Sequence, residues 1–189
     1  MPVTVAVLAG GRSRRMGAPK ALVDFGGAPL IARPLAAARA AGLPALVVAK
    51  RDSPLPALDV PVAFEPDVPI HPLCGLVAAL ERCGTVVAVA CDQPWVTAEL
   101  LAALAACPED VAVPRVDGRL EPFPGRYAAG ALGALREALA REASLRATLA
   151  AVGAAPVDLA PFGDPARLVA SLNTPEALAG ALGAPEAPR

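Results

Sequence analysis

Val3-Thr4-Val5-Ala6-Val7-Leu8-Ala9-Gly10-Gly11-Arg12-Ser13-Arg14-Arg15-Met16-Gly17-Ala18-Pro19-Lys20 is the stretch on which the fold of this chain turns. Its first third is apolar or β-branched and stops abruptly at Ala9, Gly10 and Gly11, which predicts a strand buried on both faces and feeding a tight turn. A strand covered on both faces belongs in a parallel sheet with helices packed on either side. After the turn the chemistry changes: two glycines strip side chains from the backbone, and Arg12, Arg14, Arg15 and Lys20 gather positive charge close behind them. Backbone N–H groups freed in this way, with cations beside them, suit a polyphosphate. The plainer alternative is a glycine turn decorated with solvated arginines. The spacing matches neither a G-x-G-x-x-G dinucleotide fingerprint nor a Walker loop, so a kinase or ATPase reading loses weight.

Working outward, the same alternation recurs. Residues 29–41, closed by Gly42, read as a helix that Pro34 should kink or delay. Residues 46–49 and 61–64 read as strands, residues 65–72 as a Pro-rich loop, and residues 73–83 as a helix. Residues 85–91 form the most strand-like run of the chain, ending at Asp92-Gln93-Pro94 before a helix that Thr97 can cap. Strands alternating with helices at these spacings predict a Rossmann-like, doubly wound α/β fold with a mostly parallel sheet, whose ligands sit beyond the carboxyl ends of the strands. Residues 111–116 and 120–123 flank Asp117-Gly118, a pair favoured in tight hairpins, which adds a small antiparallel excursion. Helices over 128–141, 144–152 and 175–182 and short apolar runs near Val157 and Leu168 complete the pattern. No internal repeat or linker-like segment interrupts residues 1–182, so a single domain is expected, with the Pro- and Ala-rich tail 183–189 frayed.

Bulk properties narrow the function classes. At 189 residues the chain can bury one sizeable core, and a composition 55% hydrophobic but 3% aromatic requires that core to be built from Ala, Val and Leu. A net charge of −1 and an isoelectric point of about 5.8 give no electrostatic footprint for nucleic acid or an anionic membrane, which leaves small molecules as the expected partners. The apolar run 3–9 is too short to span a bilayer and runs straight into glycines and arginines, unlike a signal peptide. The four cysteines, Cys74, Cys83, Cys91 and Cys107, form no Cys-x-x-Cys pair, and His71 is the single histidine. Zinc and a disulfide framework are therefore not expected; reduced thiols in a cytoplasmic protein are.

Asp92 is the second fixed point. A carboxylate at the end of a buried strand sits on a rigid element facing the ligand crevice, and Mg²⁺ needs only one or two such groups beside substrate phosphates and water. Capping of the turn before Pro94 is the competing reading. Asn173-Thr174-Pro175 reads first as a helix start, with Asn173 as its cap.

Four motifs in order along nearly the whole chain resemble the molybdenum cofactor guanylyltransferases, which join GMP to molybdopterin. They are Leu8-Ala9-Gly10-Gly11 followed by Arg15-Met16-Gly17 and Lys20; Pro72-Leu73-Cys74-Gly75-Leu76; Cys91-Asp92-Gln93-Pro94; and Leu172-Asn173-Thr174-Pro175-Glu176. The resemblance implies a fold of the nucleotide-diphospho-sugar transferase type. It assigns Leu8, Ala9 and Gly10 to the nucleotide, Lys20 to its phosphates, and Asp92 to Mg²⁺, with Mn²⁺ as a substitute; Gly11 and Gly17 are expected beside them as nucleotide contacts, and Arg15 as a phosphate cation from the charge of the loop. Asn173 falls on the acceptor or metal side, and an acidic nucleoside contact falls at Glu65 or Asp67, with Glu65 preferred. The chain departs from the pattern at Ala49, where some relatives carry an asparagine that touches the nucleotide, at His71 and at Ser171. What the resemblance implies as activity is attack by a terminal phosphate of molybdopterin on the α-phosphorus of GTP, releasing pyrophosphate without a general base. Molybdoenzyme apoproteins or other cofactor-biosynthesis proteins are implied partners. The alternatives are a CTP-dependent molybdopterin cytidylyltransferase, against which the double glycine and Pro72-Leu73 weigh, a sugar-phosphate nucleotidyltransferase, usually a longer chain, and a non-catalytic nucleotide-binding maturation factor.

Overall fold

The computed structural model describes residues 2–11 and 18–183. Strand β1 (Thr4–Leu8) lies between β2 (Ala45–Ala49) and β4 (Val86–Ala90), and β3 (Val62–Phe64) extends the sheet beyond β2, all parallel. The sheet continues past β4 through β7 (Gly125–Tyr127), β5 (Val111–Val116) and β6 (Arg119–Leu120), giving the order β3-β2-β1-β4-β7-β5-β6, and β8 (Ala155–Val157) pairs with β5. The antiparallel part is the pairing of β7 with β4 and β5, and of β5 with β6. This is the mixed α/β fold with a mostly parallel central sheet expected from the apolar runs.

Alternation along the strands sends side chains into two cores. Ala6, Leu46, Val48, Val86 and Ala88 face one side, where they meet Leu73, Leu76 and Leu80 of α2 (Pro72–Cys83) together with Leu135 of α4 (Leu132–Ala140) and Leu149 of α5 (Leu145–Ala151). Val5, Val7, Val47, Val87 and Val89 face the other, against Ala38 of α1 (Ala32–Ala40) and Leu100, Leu101 and Leu104 of α3 (Ala98–Ala106). Burial on both faces is why β1 and β4 read as unbroken apolar runs rather than alternating ones. Thr97 caps α3 by accepting from the Leu100 N–H at 3.3 Å.

The structure corrects the sequence reading at several elements. Helix α1 starts at Ala32 rather than Pro29, the delay expected of Pro34, which lies within the first turn where a missing N–H costs no helical bond. The strand expected over 120–123 ends at Leu120, because Pro122 and Pro124 have no N–H for a ladder. Strand β7 was not anticipated. Residues 129–131 form a separate 3₁₀ turn ahead of α4, and the run near Leu168 is a short helix, α6 (Pro165–Leu168), capped by Asp164. Helix α7 (Pro175–Gly183) closes the described chain, and the expected frayed tail lies almost wholly outside it.

Candidate active site

The carboxyl ends of β1, β2 and β4 open into a cavity of about 620 Å³, of the size that holds a nucleotide. Leu8, Ala9, Gly10 and Gly11 form its β1 wall, which is tied to both neighbours: the Ala9 N–H donates to the Val48 carbonyl at 2.7 Å, and the Cys91 N–H to the Leu8 carbonyl at 3.1 Å. Lys20 sits on the same cavity, at the start of a 3₁₀ turn over Lys20–Leu22.

Three residues far apart in sequence meet at one atom. The Lys20 ammonium donates to Asp92 Oδ2 at 2.5 Å and to Asn173 Oδ1. Asp92 is 5% exposed, so its charge needs a cation close by, and Lys20 supplies it. Asn173 is delivered by the segment leading into α7, and that segment is anchored at the site by the Leu172 N–H donating to the Asp92 carbonyl at 2.9 Å. Among the described residues no group of three or more His, Cys, Asp or Glu side chains forms a cage for a metal. The oxygens of Asp92 and Asn173, however, converge on a point already held by a cation. One carboxylate and one amide oxygen are a hard donor set that phosphate and water complete for Mg²⁺.

Gln93 fixes this corner. Its side chain is buried and fully engaged, accepting from the Ala90 N–H at 3.1 Å and donating to the Phe123 carbonyl at 2.8 Å and the Val169 carbonyl at 3.0 Å. One side chain thereby ties the end of β4 to the β6–β7 connection and to the segment that carries Asn173.

The opposite wall holds a second buried charge pair. Lys50, 6% exposed, follows β2 and donates to the Pro66 carbonyl at 2.6 Å, with Glu65 Oε1 at 3.5 Å from its nitrogen. The Glu65 carboxylate is packed beneath the glycine loop: a Cβ at position 10 would collide with it, and one at position 75 would stand 2.8 Å from Oε2. Desolvation raises the Glu65 carboxyl above its ordinary range, and the Lys50 charge opposes that shift. Cys91 also lines the cavity, but burial and the neighbouring Asp92 push its thiol up to about 12, so it stays protonated and is no nucleophile.

Residues 5–157 match the MobA-like NTP transferase domain. The chain belongs to that family. A Pelotomaculum thermopropionicum protein named probable molybdenum cofactor guanylyltransferase is 34% identical over 145 residues, 74% of this chain and 70% of the relative. A Pseudomonas putida molybdenum cofactor guanylyltransferase is 36% identical over 158 residues, 78% of this chain and 82% of the relative. Among solved structures, the molybdopterin-guanine dinucleotide biosynthesis protein A of Archaeoglobus fulgidus superposes with a TM-score of 0.80 at 26% identity, covering 95% of this chain and 96% of that one. A 2-C-methyl-D-erythritol 4-phosphate cytidylyltransferase from Thermus thermophilus shares the fold at a TM-score of 0.70 and 24% identity, over 96% of this chain and 98% of its own.

In this MobA-like chain the structure brings together Leu8, Ala9, Gly10, Gly11, Lys20, Asp92 and Asn173. Arg15 and Gly17 lie outside the described residues. Of the two acidic candidates, Asp67 stands on the cavity wall and Glu65 lies beneath it. Ala49 is wholly buried in the sheet and offers no side chain to the cavity, whereas its neighbour Lys50 does line it. His71 caps α2, its Nδ1 accepting from the Leu73 N–H at 3.2 Å. Sequence reasoning missed Lys50 and Gln93. The signal for Lys50 was present: it and Lys20 are the only lysines among otherwise arginine cations, and both line one cavity.

Proposed function

We propose that this protein transfers GMP from GTP to molybdopterin, yielding pyrophosphate and the guanine dinucleotide form of the molybdenum cofactor. The observation that carries the reading is the meeting of Lys20, Asp92 and Asn173 at the edge of the glycine-walled cavity in a MobA-like chain related to named guanylyltransferases.

The chemistry follows from the groups present. An oxygen of the acceptor's terminal phosphate bonds to the α-phosphorus of GTP, the bond from that phosphorus to the bridging oxygen of the β-phosphate breaks, and the electron pair leaves with pyrophosphate. The attacking phosphate is already anionic at neutral pH, so no side chain has to remove a proton, and the described residues of the site include no Ser-His or Cys-His pair to do so. What the chain supplies is alignment and charge. The Gly10–Gly11 backbone receives the triphosphate, Lys20 moves its positive charge onto the phosphate oxygens, and Asn173 faces the acceptor. Asp92 and Asn173 are the residues that would hold Mg²⁺, or Mn²⁺ in its place, and such an ion adds neutralising charge at the phosphates when bound. Arg15 is a further phosphate cation on this reading.

No helix among the described residues is long and apolar enough to cross a membrane, and the four cysteines are unpaired, which supports action in the cytoplasm on diffusible substrates before the cofactor passes to molybdoenzyme apoproteins. Pyrophosphate release measured with molybdopterin and each of GTP, CTP, ATP and UTP tests the proposal. Release with GTP alone is the expected result. Release with CTP instead selects the cytidylyl branch, and nucleotide binding without release selects a maturation factor.

A further inference from the structure

The buried Lys50–Glu65 pair asks for an explanation that the transfer chemistry does not give. A lysine is rarely placed in so dry a position, since its ammonium must be taken out of water and re-paired. The pair is not at the phosphate end of the cavity. Sheet order β3-β2-β1-β4 puts Gly10 and Asp92 at the ends of β1 and β4, with Lys20 bonded to Asp92, and Lys50 with the Glu65–Asp67 loop at the ends of β2 and β3. With a strand spacing of roughly 5 Å, the end of β2 lies about 10 Å from that of β4. A triphosphate gripped at β1 and β4 therefore carries its nucleoside toward Lys50. The ammonium has three N–H bonds and is held at two of them, by the Pro66 carbonyl at 2.6 Å and, more loosely, by Glu65 at 3.5 Å. No third partner is found among the described residues. Arg51, next in sequence, is stacked over the Phe64 ring with 5.0 Å between guanidinium carbon and ring centre, so it is engaged elsewhere.

We propose that Lys50 is the residue that selects the base, its remaining N–H donating to the carbonyl oxygen at position six of a purine ring. This rests on the guanylyl-transfer reading and names the group that enforces it. An ammonium can only donate, so it pairs with the six-carbonyl of guanine or hypoxanthine and is left facing hydrogens when adenine presents its six-amino group. Glu65 then acts through Lys50: it balances the buried charge and fixes the direction of the ammonium, and the glycines at 10 and 75 leave room for its carboxylate. A buried donor left unpaired by the wrong base costs enough to give ~10- to 100-fold discrimination.

The test uses calorimetric binding of GTP, ITP, ATP and 2-aminopurine riboside triphosphate, the last being the GTP analogue that lacks the six-carbonyl, in the presence of Mg²⁺. Wild-type protein should bind GTP and ITP ~10- to 100-fold more tightly than the other two. Lys50→Met, and the paired Lys50→Met/Glu65→Gln variant that leaves no lone buried carboxylate, should reduce that ratio to about threefold or less while retaining triphosphate binding. Should the single variant fail to fold, the double variant decides. If the full ratio persists in the folded variant while the wild type still releases pyrophosphate from GTP, the Lys50 assignment is overturned and the guanylyl reading stands. A wild type indifferent to the six-carbonyl overturns both.

Discussion

Asp92 and Lys20 divide the labour of one small region, and substitutions should separate them. Asp92→Asn keeps shape and hydrogen-bonding capacity while removing the charge that pairs with Lys20; pyrophosphate release should drop by about 10²–10³-fold with the melting temperature little changed. Near-normal turnover in Mg²⁺ would remove Asp92 from the mechanism. Lys20→Ala should lower kcat/KM for GTP by about 10²-fold, and kinetics identical to wild type would pass the phosphate role to another cation. Glu65 gives a pH signature. Its carboxyl is raised by desolvation, so in the range just above its ordinary value near 4.5 the folded chain binds more protons than the unfolded one, and stability falls as pH climbs through that range. Glu65→Gln should flatten this part of the stability profile in denaturant titrations from pH 4 to 7; an unchanged slope would assign it to other groups. The residues of the phosphate end were legible because glycines, a lysine and a strand-end carboxylate have few other reasons to occur together. Lys50 was marked only by being one of two lysines among arginines; its burial was not legible, since that depends on Glu65 and Pro66, fifteen or so residues on and one strand over.

At the scale of elements, the site is held by what joins β4 to the later chain. Gln93→Met preserves volume but strands the Ala90 N–H and the Phe123 and Val169 carbonyls. It should cost about 2–4 kcal/mol, seen as a fall of roughly 10 °C in melting temperature. A shift of a degree or less would mean that water satisfies these groups equally well. Strands β1 and β4 could be read directly because burial on both faces writes itself as an apolar run. Strand β7 could not: Gly125-Arg126-Tyr127 is short and carries a charge, and it becomes a strand because Arg126 reaches the Ala105 and Glu109 carbonyls while Tyr127 buries its ring and donates to the Pro122 carbonyl at 2.7 Å. Those partners are tertiary, and no local pattern announces them. The prolines at 122 and 124, by contrast, were visible and should have shortened the strand expected beside them.

Across the whole molecule, the reversal of chain order at β1 sets the cavity where β2 and β4 diverge, the position at which open α/β sheets bind their ligands. That much followed from counting strands and helices, and it placed Gly10 and Asp92 at the same end before any distance was known. Because the cavity wall draws on β1 and the ends of β2 and β4, and its Lys20 is bonded to Asn173 ahead of α7, a nucleotide seated there should stabilise the chain as a unit. GTP with Mg²⁺ at a hundredfold excess over Kd should add about 2.7 kcal/mol, or roughly 5–10 °C, to thermal stability, and CTP at the same concentration should add far less. Equal shifts for both would show that the base is not being read.

The short contact between Lys20 and Asp92 has one more effect. The Asp92 charge is already matched by the chain's own base, so on the proposed reading a divalent ion would have to compete with Lys20 for it. On the proposed reading, a triphosphate in the cavity would offer the lysine a richer set of anionic oxygens, and turning toward them would leave the carboxylate to a metal shared with those phosphates. Nucleotide first and metal second would then be the order set by one lysine with two possible partners.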